Sequence, residues 1–134
     1  MSGFVLDASV AVAWLFDDES DPRAEFALTR LKNEQALVPQ HWTLEVRNSL
    51  LVGERRGRIR ANEVDERLNS LSALPLLTDS EPDLEVAFAL ARAHRLSIYD
   101  AIYLELAKRN RLALATLDDR LKQAALNEGL ALVK

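Results

Sequence analysis

Two patterns in this chain predict an α/β fold, in which helices flank a parallel sheet. Short apolar runs of strand length alternate with segments of helical period. Two acidic residues, Asp7 and Asp118, close the first and fourth of those runs, at the C-terminal strand ends where open parallel sheets place their ligand sites. The 134 residues make one domain over 1–134, long enough to bury a core without disulfides or structural metals.

Phe4 to Asp7 reads as a short buried strand, and Ala8 to Phe16 as a helix that is apolar nearly all round. Asp21-Pro22 starts a second helix, with Asp as N-cap and Pro in the first turn, running to about Asn33. Ala36-Leu37-Val38, stopped by Pro39, is a second strand. Trp42, Val46 and Leu50 then mark an amphipathic helix to about Arg56, which Gly57 breaks. Asn62 caps a helix carrying Val64, Leu68 and Leu71, and Leu74 to Leu77 is a weak third strand. Thr78, Glu81 and Pro82 form a capping-box signature ahead of a helix ending near His94. Ser97 to about Arg109 is helical, Leu112 to Thr116 a fourth strand and Asp118 to Asn127 the last helix. Gly129 leads into a final strand, Leu130 to Val133. The extra helices insert between the second and fourth strands.

Composition narrows the chemistry. With no cysteine, a disulfide framework, a thiolate zinc site and a cysteine nucleophile are excluded, in keeping with a reducing cytoplasm. Met-Ser-Gly-Phe enters directly into the first strand-like run, without a basic leader, a long apolar span or a glycine at position 2. That opening fits a soluble, cytosolic protein with no membrane attachment. A net charge of −4 argues against indiscriminate attraction to nucleic acid. Locally the balance reverses, because Arg55, Arg56, Arg58 and Arg60 fall within six positions around Gly57. That cluster is either a solvated turn or a phosphate-binding surface for RNA.

Asp7, Glu45, Asp100 and Asp118 each interrupt an apolar or helix-forming stretch, Glu45 within HWTLEVRNSLL and Asp100 within SIYDAIYLELA. A carboxylate near a core needs protons, donors or cations around it. Magnesium and manganese take oxygen ligands, and this chain is rich in oxygen and poor in soft ligands. Singly, each acid has a plainer role: Asp7 and Asp118 as helix caps, Asp100 in a capping box with Ser97, Glu45 as a helix surface residue. Caps, however, do not require apolar surroundings, and four such placements at convergent topological positions point to one site. Asp119, adjacent to Asp118, can exchange roles with it. Ser9 and Thr116, two residues from Asp7 and Asp118, can orient a carboxylate, and Asn48 lies one turn past Glu45. Tyr99 and Tyr103 read as core residues with hydroxyls at the pocket edge. His41 and His94 are too few and too separated for a histidine acid–base pair, and glycines at only positions 3, 53, 57 and 129 exclude a P-loop or dinucleotide fingerprint.

In the order VLDASV (Asp7, Ser9), LEVRNSLL (Glu45, Asn48), YDAIYLELA (Asp100) and ATLDDRL (Thr116, Asp118), the chain resembles the PIN-domain ribonucleases. Among them it is similar to the VapC-like toxins of toxin–antitoxin pairs. The resemblance covers nearly the full length. It implies a three-layer α/β/α PIN-like fold with a central parallel sheet, and an acidic pocket holding one or two Mg²⁺ or Mn²⁺ ions on Asp7, Glu45, Asp100 and Asp118. It further implies RNA hydrolysis by a metal-activated water, leaving a 5′-phosphate and a 3′-hydroxyl. Homodimerisation is implied too, as is silencing by a VapB-like antitoxin whose arginine enters the acidic pocket.

A second class of function also fits chains of this size and alternation: a non-catalytic or receiver-like module that binds Mg²⁺ in signalling. Receiver domains carry an acceptor aspartate at the third strand, and Leu74 to Thr78 offers none.

Overall fold

The computed structural model describes residues 3–134; Met1 and Ser2, on which the expectation about the N-terminal opening partly rests, lie outside the described residues. The strands are β1 (Gly3–Leu6), β2 (Gln35–Pro39), β3 (Leu76–Asp79) and β4 (Ala113–Ala115). They pair in parallel in the order β3-β2-β1-β4. Every residue of β1 is buried, the mark of a central strand covered on both faces and the reason its apolar run does not alternate. Its first residue must be small, since a Cβ on Gly3 would come within 2.9 Å of the Gln35 carbonyl oxygen.

The helices are α1 (Ala8–Leu15), α2 (Pro22–Arg30), α3 (Trp42–Arg55), α4 (Ala61–Ser72), α5 (Leu84–His94), α6 (Ile98–Asn110) and α7 (Asp119–Asn127). They flank the sheet in the α/β/α arrangement. Helix α6 lies against β1, β2 and β4 and carries α5, while α1 packs on α2 and α3. Asp21 caps α2, its carboxylate accepting from the Arg23 amide at 2.8 Å, with Pro22 in the first turn as its fixed φ favours. Along α3 the buried residues are Trp42, Val46, Leu50 and Gly53. Gly53 is required by contact: a Cβ there would lie 2.4 Å from Cε1 of the Phe16 ring.

Several boundaries differ from the sequence expectation, β3 lying at Leu76–Asp79 rather than Leu74 to Leu77. Helix α4 is capped at Arg60 rather than Asn62, because the Glu63 carboxylate reaches back to the Arg60 amide at 3.1 Å and starts the helix sooner after the Gly57 turn. Thr78 does not cap α5; it pairs with Val38 inside β3, and Asp83 is the cap, accepting from the Val86 amide at 3.1 Å. The expected last strand shrinks to one bridge, Leu114 to Leu132, since β4 spans only three residues and offers few unpaired groups along its outer edge. Among the described residues no helix is long and apolar enough to cross a membrane.

Candidate functional site

The register of β1 on β4 builds the centre of the site. Leu6 stands opposite Ala115, and the Asp7 amide donates to the Ala115 carbonyl at 2.9 Å, so Asp7 and Thr116 emerge together at the C-terminal edge of the sheet. Asp7 occupies the N-cap position of α1 yet makes no capping hydrogen bond. Instead its Oδ2 accepts from both the Ser9 and the Thr116 hydroxyls, at 2.7 Å each. Each hydroxyl also accepts a backbone amide, Ser9 from Leu117 and Thr116 from Asp118, at 3.0 Å. The two side chains thus lock the turn that carries Asp118 onto Asp7. A cap would explain an aspartate here, but Asp7 is only 5% exposed and does not cap.

Asp118 is a true cap: its Oδ1 accepts from the Arg120 and Leu121 amides at 2.8 and 3.2 Å, which fixes its carboxyl at the mouth of the site. Asp119 is exposed as the first residue of α7. Glu45 and Asp100 sit in the first turns of α3 and α6. Ser97 accepts the Asp100 amide at 3.1 Å, while the reciprocal half of a capping box, from the Asp100 carboxylate, is not made. Glu45 Oε1 accepts from the Tyr103 hydroxyl at 2.6 Å. Asn48 is exposed on α3 and makes no hydrogen bond to Glu45.

The four acids act on one another. Burial pushes the Asp7 carboxyl up, opposed by the Thr116 and Ser9 hydroxyls, and the charges of Glu45 and Asp118 push it further. Asp100 is raised by burial and then by Asp7 and Asp118. Glu45 is raised by burial, opposed by the Tyr103 hydroxyl, and then by Asp100. Among the described residues, no lysine or arginine forms an ion pair with any of the four.

The titratable nitrogen beside the acids is His41 Nε2, which lies 3.4 Å from Glu45 Oε1 and 3.1 Å from the Tyr99 carbonyl oxygen. Burial holds this imidazole below its ordinary value despite the pull of Asp100 and Asp7. Burial therefore weakens any charge pairing of His41 with Glu45. Its ring sits 5.1 Å from that of Tyr103 and 5.5 Å from that of Tyr99. Tyr103 meets the expectation of a core residue with its hydroxyl at the pocket edge; His41 is the residue beside the acids that sequence patterns miss, since its contact with the Tyr99 carbonyl spans 58 positions of chain. Tyr103 is fully buried, and Tyr99, expected in the core, is 60% exposed.

This donor set suits a hard cation: oxygen only, negative, and without a resident counter-ion. Among the described residues, no three acidic or histidine side chains are already gathered closely enough to hold an ion. Glu45 and Asp100 are only half-buried. The arginine cluster is elsewhere. Arg58 is bound by Asp18, at 2.8 and 3.0 Å, and by Glu19 at 3.1 Å, and lies over the Phe16 ring. Arg55, Arg56 and Arg60 are exposed around the Gly57 turn.

Residues 4–127 match the PIN domain family. This chain belongs to that family. Its relatives include the ribonuclease VapC3 of Pyrobaculum aerophilum, 34% identical over 123 residues that cover 89% of this chain and 92% of the relative. A ribonuclease VapC3 of Mycobacterium tuberculosis is 32% identical over 120 residues, covering 90% and 85%. The PIN domain here is thus VapC-like. Its sheet and helices also superpose on PAE2754 of Pyrobaculum aerophilum with a TM-score of 0.72 at 24% identity, covering 98% of this chain and 84% of that one. A chain of a toxin–antitoxin complex from Klebsiella pneumoniae gives 0.57 at 21% identity, covering 83% and 82%. At such identities these two likenesses speak for the fold alone. Membership in the PIN family removes the receiver-like alternative.

Proposed function

We propose that this PIN domain is a Mg²⁺- or Mn²⁺-dependent endoribonuclease, the toxin of a toxin–antitoxin pair. What supports the reading most is that Asp7, Glu45, Asp100 and Asp118, carried by four different elements, lie near enough for the charges of Glu45 and Asp118 to act on Asp7, of Asp7 and Asp118 on Asp100, and of Asp100 on Glu45, with no lysine or arginine ion-paired to any of them among the described residues. A folded protein tolerates such an arrangement when function uses it. The relatives named ribonuclease VapC3 supply the substrate class.

Asp7 is the fixed member, aimed by the Ser9 and Thr116 hydroxyls, which occupy one of its oxygens and hold the carboxylate plane. Asp118 is held by the cap of α7. Glu45, steadied by Tyr103, and Asp100, in the first turn of α6, would complete the ligand set. A bound divalent cation supplies Lewis-acid charge at the phosphodiester and makes water a better nucleophile. No side chain has to serve as general base. His41, 3.4 Å from Glu45 and bound to the Tyr99 carbonyl, would help to position Glu45.

An acidic pocket of this kind is also open to an antitoxin arginine, whose planar guanidinium can bond several carboxylates and take the place of the cation. The protein would act in the cytoplasm as a homodimer. The test is incubation of the purified protein with defined RNAs, with Mg²⁺, Mn²⁺ or chelator, beside Asp7→Asn. Cutting that needs metal, leaves 5′-phosphate ends and is lost in Asp7→Asn supports the reading; RNA left intact with both metals overturns it.

A further inference from the structure

Two arginines outside the acidic quartet share a cleft. A cavity of about 410 Å³, where the end of α5 meets α7, is lined by Arg95, Arg120, His94, Gln123 and Asn127 among others, with no carboxylate among its lining residues. Its other polar groups are engaged: His94 with Glu128 at 2.6 Å, and the Gln123 amide with Asn127 at 3.1 Å. The Arg95 and Arg120 guanidinium groups make neither a hydrogen bond nor an ion pair among the described residues. Arg58, by contrast, is neutralised by Asp18 and Glu19.

The cleft is close to the quartet along the chain and in the caps that hold it. Arg120 follows Asp118 by two positions, and Arg95 precedes Ser97, the cap of α6, by two. A pocket of four carboxylates repels the polyanion it has to receive, so productive binding needs cations beside it that are not already spent on protein acids. Guanidinium groups match phosphate geometry and fix the register of a strand without reading its bases.

We propose that the Arg95–Arg120 cleft is a phosphate-binding subsite, which holds the RNA backbone next to the linkage that is cut. This rests on the ribonuclease reading above.

The test uses the full chain carrying Asp7→Asn to prevent cutting, with chelator present, and follows the anisotropy of a short fluorescent single-stranded RNA across a salt series. Arg95 sits in the left-handed region, at φ 55°, so Arg95→Asn removes the charge in a residue type that tolerates that backbone. Combined with Arg120→Gln, it should weaken binding roughly tenfold at low salt and flatten the salt slope by about 0.7 for each arginine. Arg120→Gln alone, at an exposed helix position, should take half of that effect and guards against misfolding of the pair. Arg111 provides a matched control, as it has the same φ of 55° and caps the far end of α6, about 16 Å along the axis from Asp100. Arg111→Asn should leave the slope unchanged. If the cleft variants behave like Arg111→Asn, or if Arg55→Ala with Arg56→Ala removes the slope instead, the subsite is overturned while the nuclease reading stands. If the unsubstituted chain neither binds nor cuts RNA, the two fail together.

Discussion

Replacing Asp7 by Asn separates a metal ligand from a structural aspartate more cleanly than any other change in this molecule. In the native site, Oδ2 accepts two hydroxyls at 2.7 Å, and the amide oxygen of Asn can accept both. Those two bonds lose their charge assistance, at about 1 kcal/mol each, or roughly 2 kcal/mol together. Against that loss, the substitution removes an ionised group that is 5% exposed, whose burial costs several kcal/mol, and turns an N–H₂ donor toward the remaining acids. At a pH where Asp7 is ionised, the balance favours Asn by about 1–2 kcal/mol. For a chain of this length, that raises the melting temperature of the metal-free protein by about 3–10 °C. Manganese should act in the opposite sense on the comparison: at a hundred times its dissociation constant it stabilises the native protein by about 2.7 kcal/mol, and most of that gain should vanish in Asp7→Asn. Calorimetry of both proteins, with and without Mn²⁺, provides the four numbers. A metal-free variant that melts lower than the native protein while keeping the full manganese shift would refute the reasoning, because Asp7 would then be a structural residue.

Thr116→Val keeps the shape but removes a donor to Asp7 and the acceptor of the Asp118 amide; urea unfolding should show a loss of about 1–3 kcal/mol, and an unchanged midpoint would mean the turn is held by other contacts. Tyr103→Phe removes the bond that opposes the rise of the Glu45 carboxyl, so the acid limb of the pH–rate profile should move to higher pH, at a stability cost of about 1 kcal/mol. The pH dependence of metal-free stability has a defined sign. Asp7, Glu45 and Asp100 are raised above ordinary values of 3.8, 4.5 and 3.8, so the folded state binds more protons than the unfolded one between the ordinary and the raised values. Their contribution therefore falls as pH rises through that window, and the penalty is complete above it. Melting curves from about pH 4 to about pH 8 should show the native protein losing ground to Asp7→Asn as pH rises, and parallel curves would contradict the coupling.

The parts of the architecture written in local patterns were legible from the residues. The apolar runs at Phe4 to Leu6 and Leu112 to Ala115 place strands, Asp21-Pro22 starts a helix, and the acids closing two of those strands lie at the C-terminal edge of the sheet, where the candidate site is. The parts set by longer-range competition were not. Thr78 with Glu81 carries a capping signature, but pairing with Val38 draws Thr78 into β3. Asn62 is a good cap residue, yet Glu63 reaching back to Arg60 begins the helix earlier. The Arg55 to Arg60 run reads as a free basic surface, whereas Asp18, forty positions away, holds Arg58. His41 is ordinary in sequence and reaches the candidate site because α3 and α6 bring it against the Tyr99 carbonyl, whereas the Tyr103 hydroxyl lies at the pocket edge as its sequence position suggests. Periodicity reports burial and element type; it carries no information on which distant side chain a polar group will meet.

The central claim is that these four acids form a cation cage, and the direct measurement is anomalous scattering from crystals soaked in manganese at neutral pH. The account predicts a manganese peak ligated by Asp7, with oxygens of Glu45, Asp100 or Asp118 at about 2.0–2.3 Å, and no peak in Asp7→Asn crystals. Crystals that show no manganese between these carboxylates, with all four satisfied by protein donors, would contradict it.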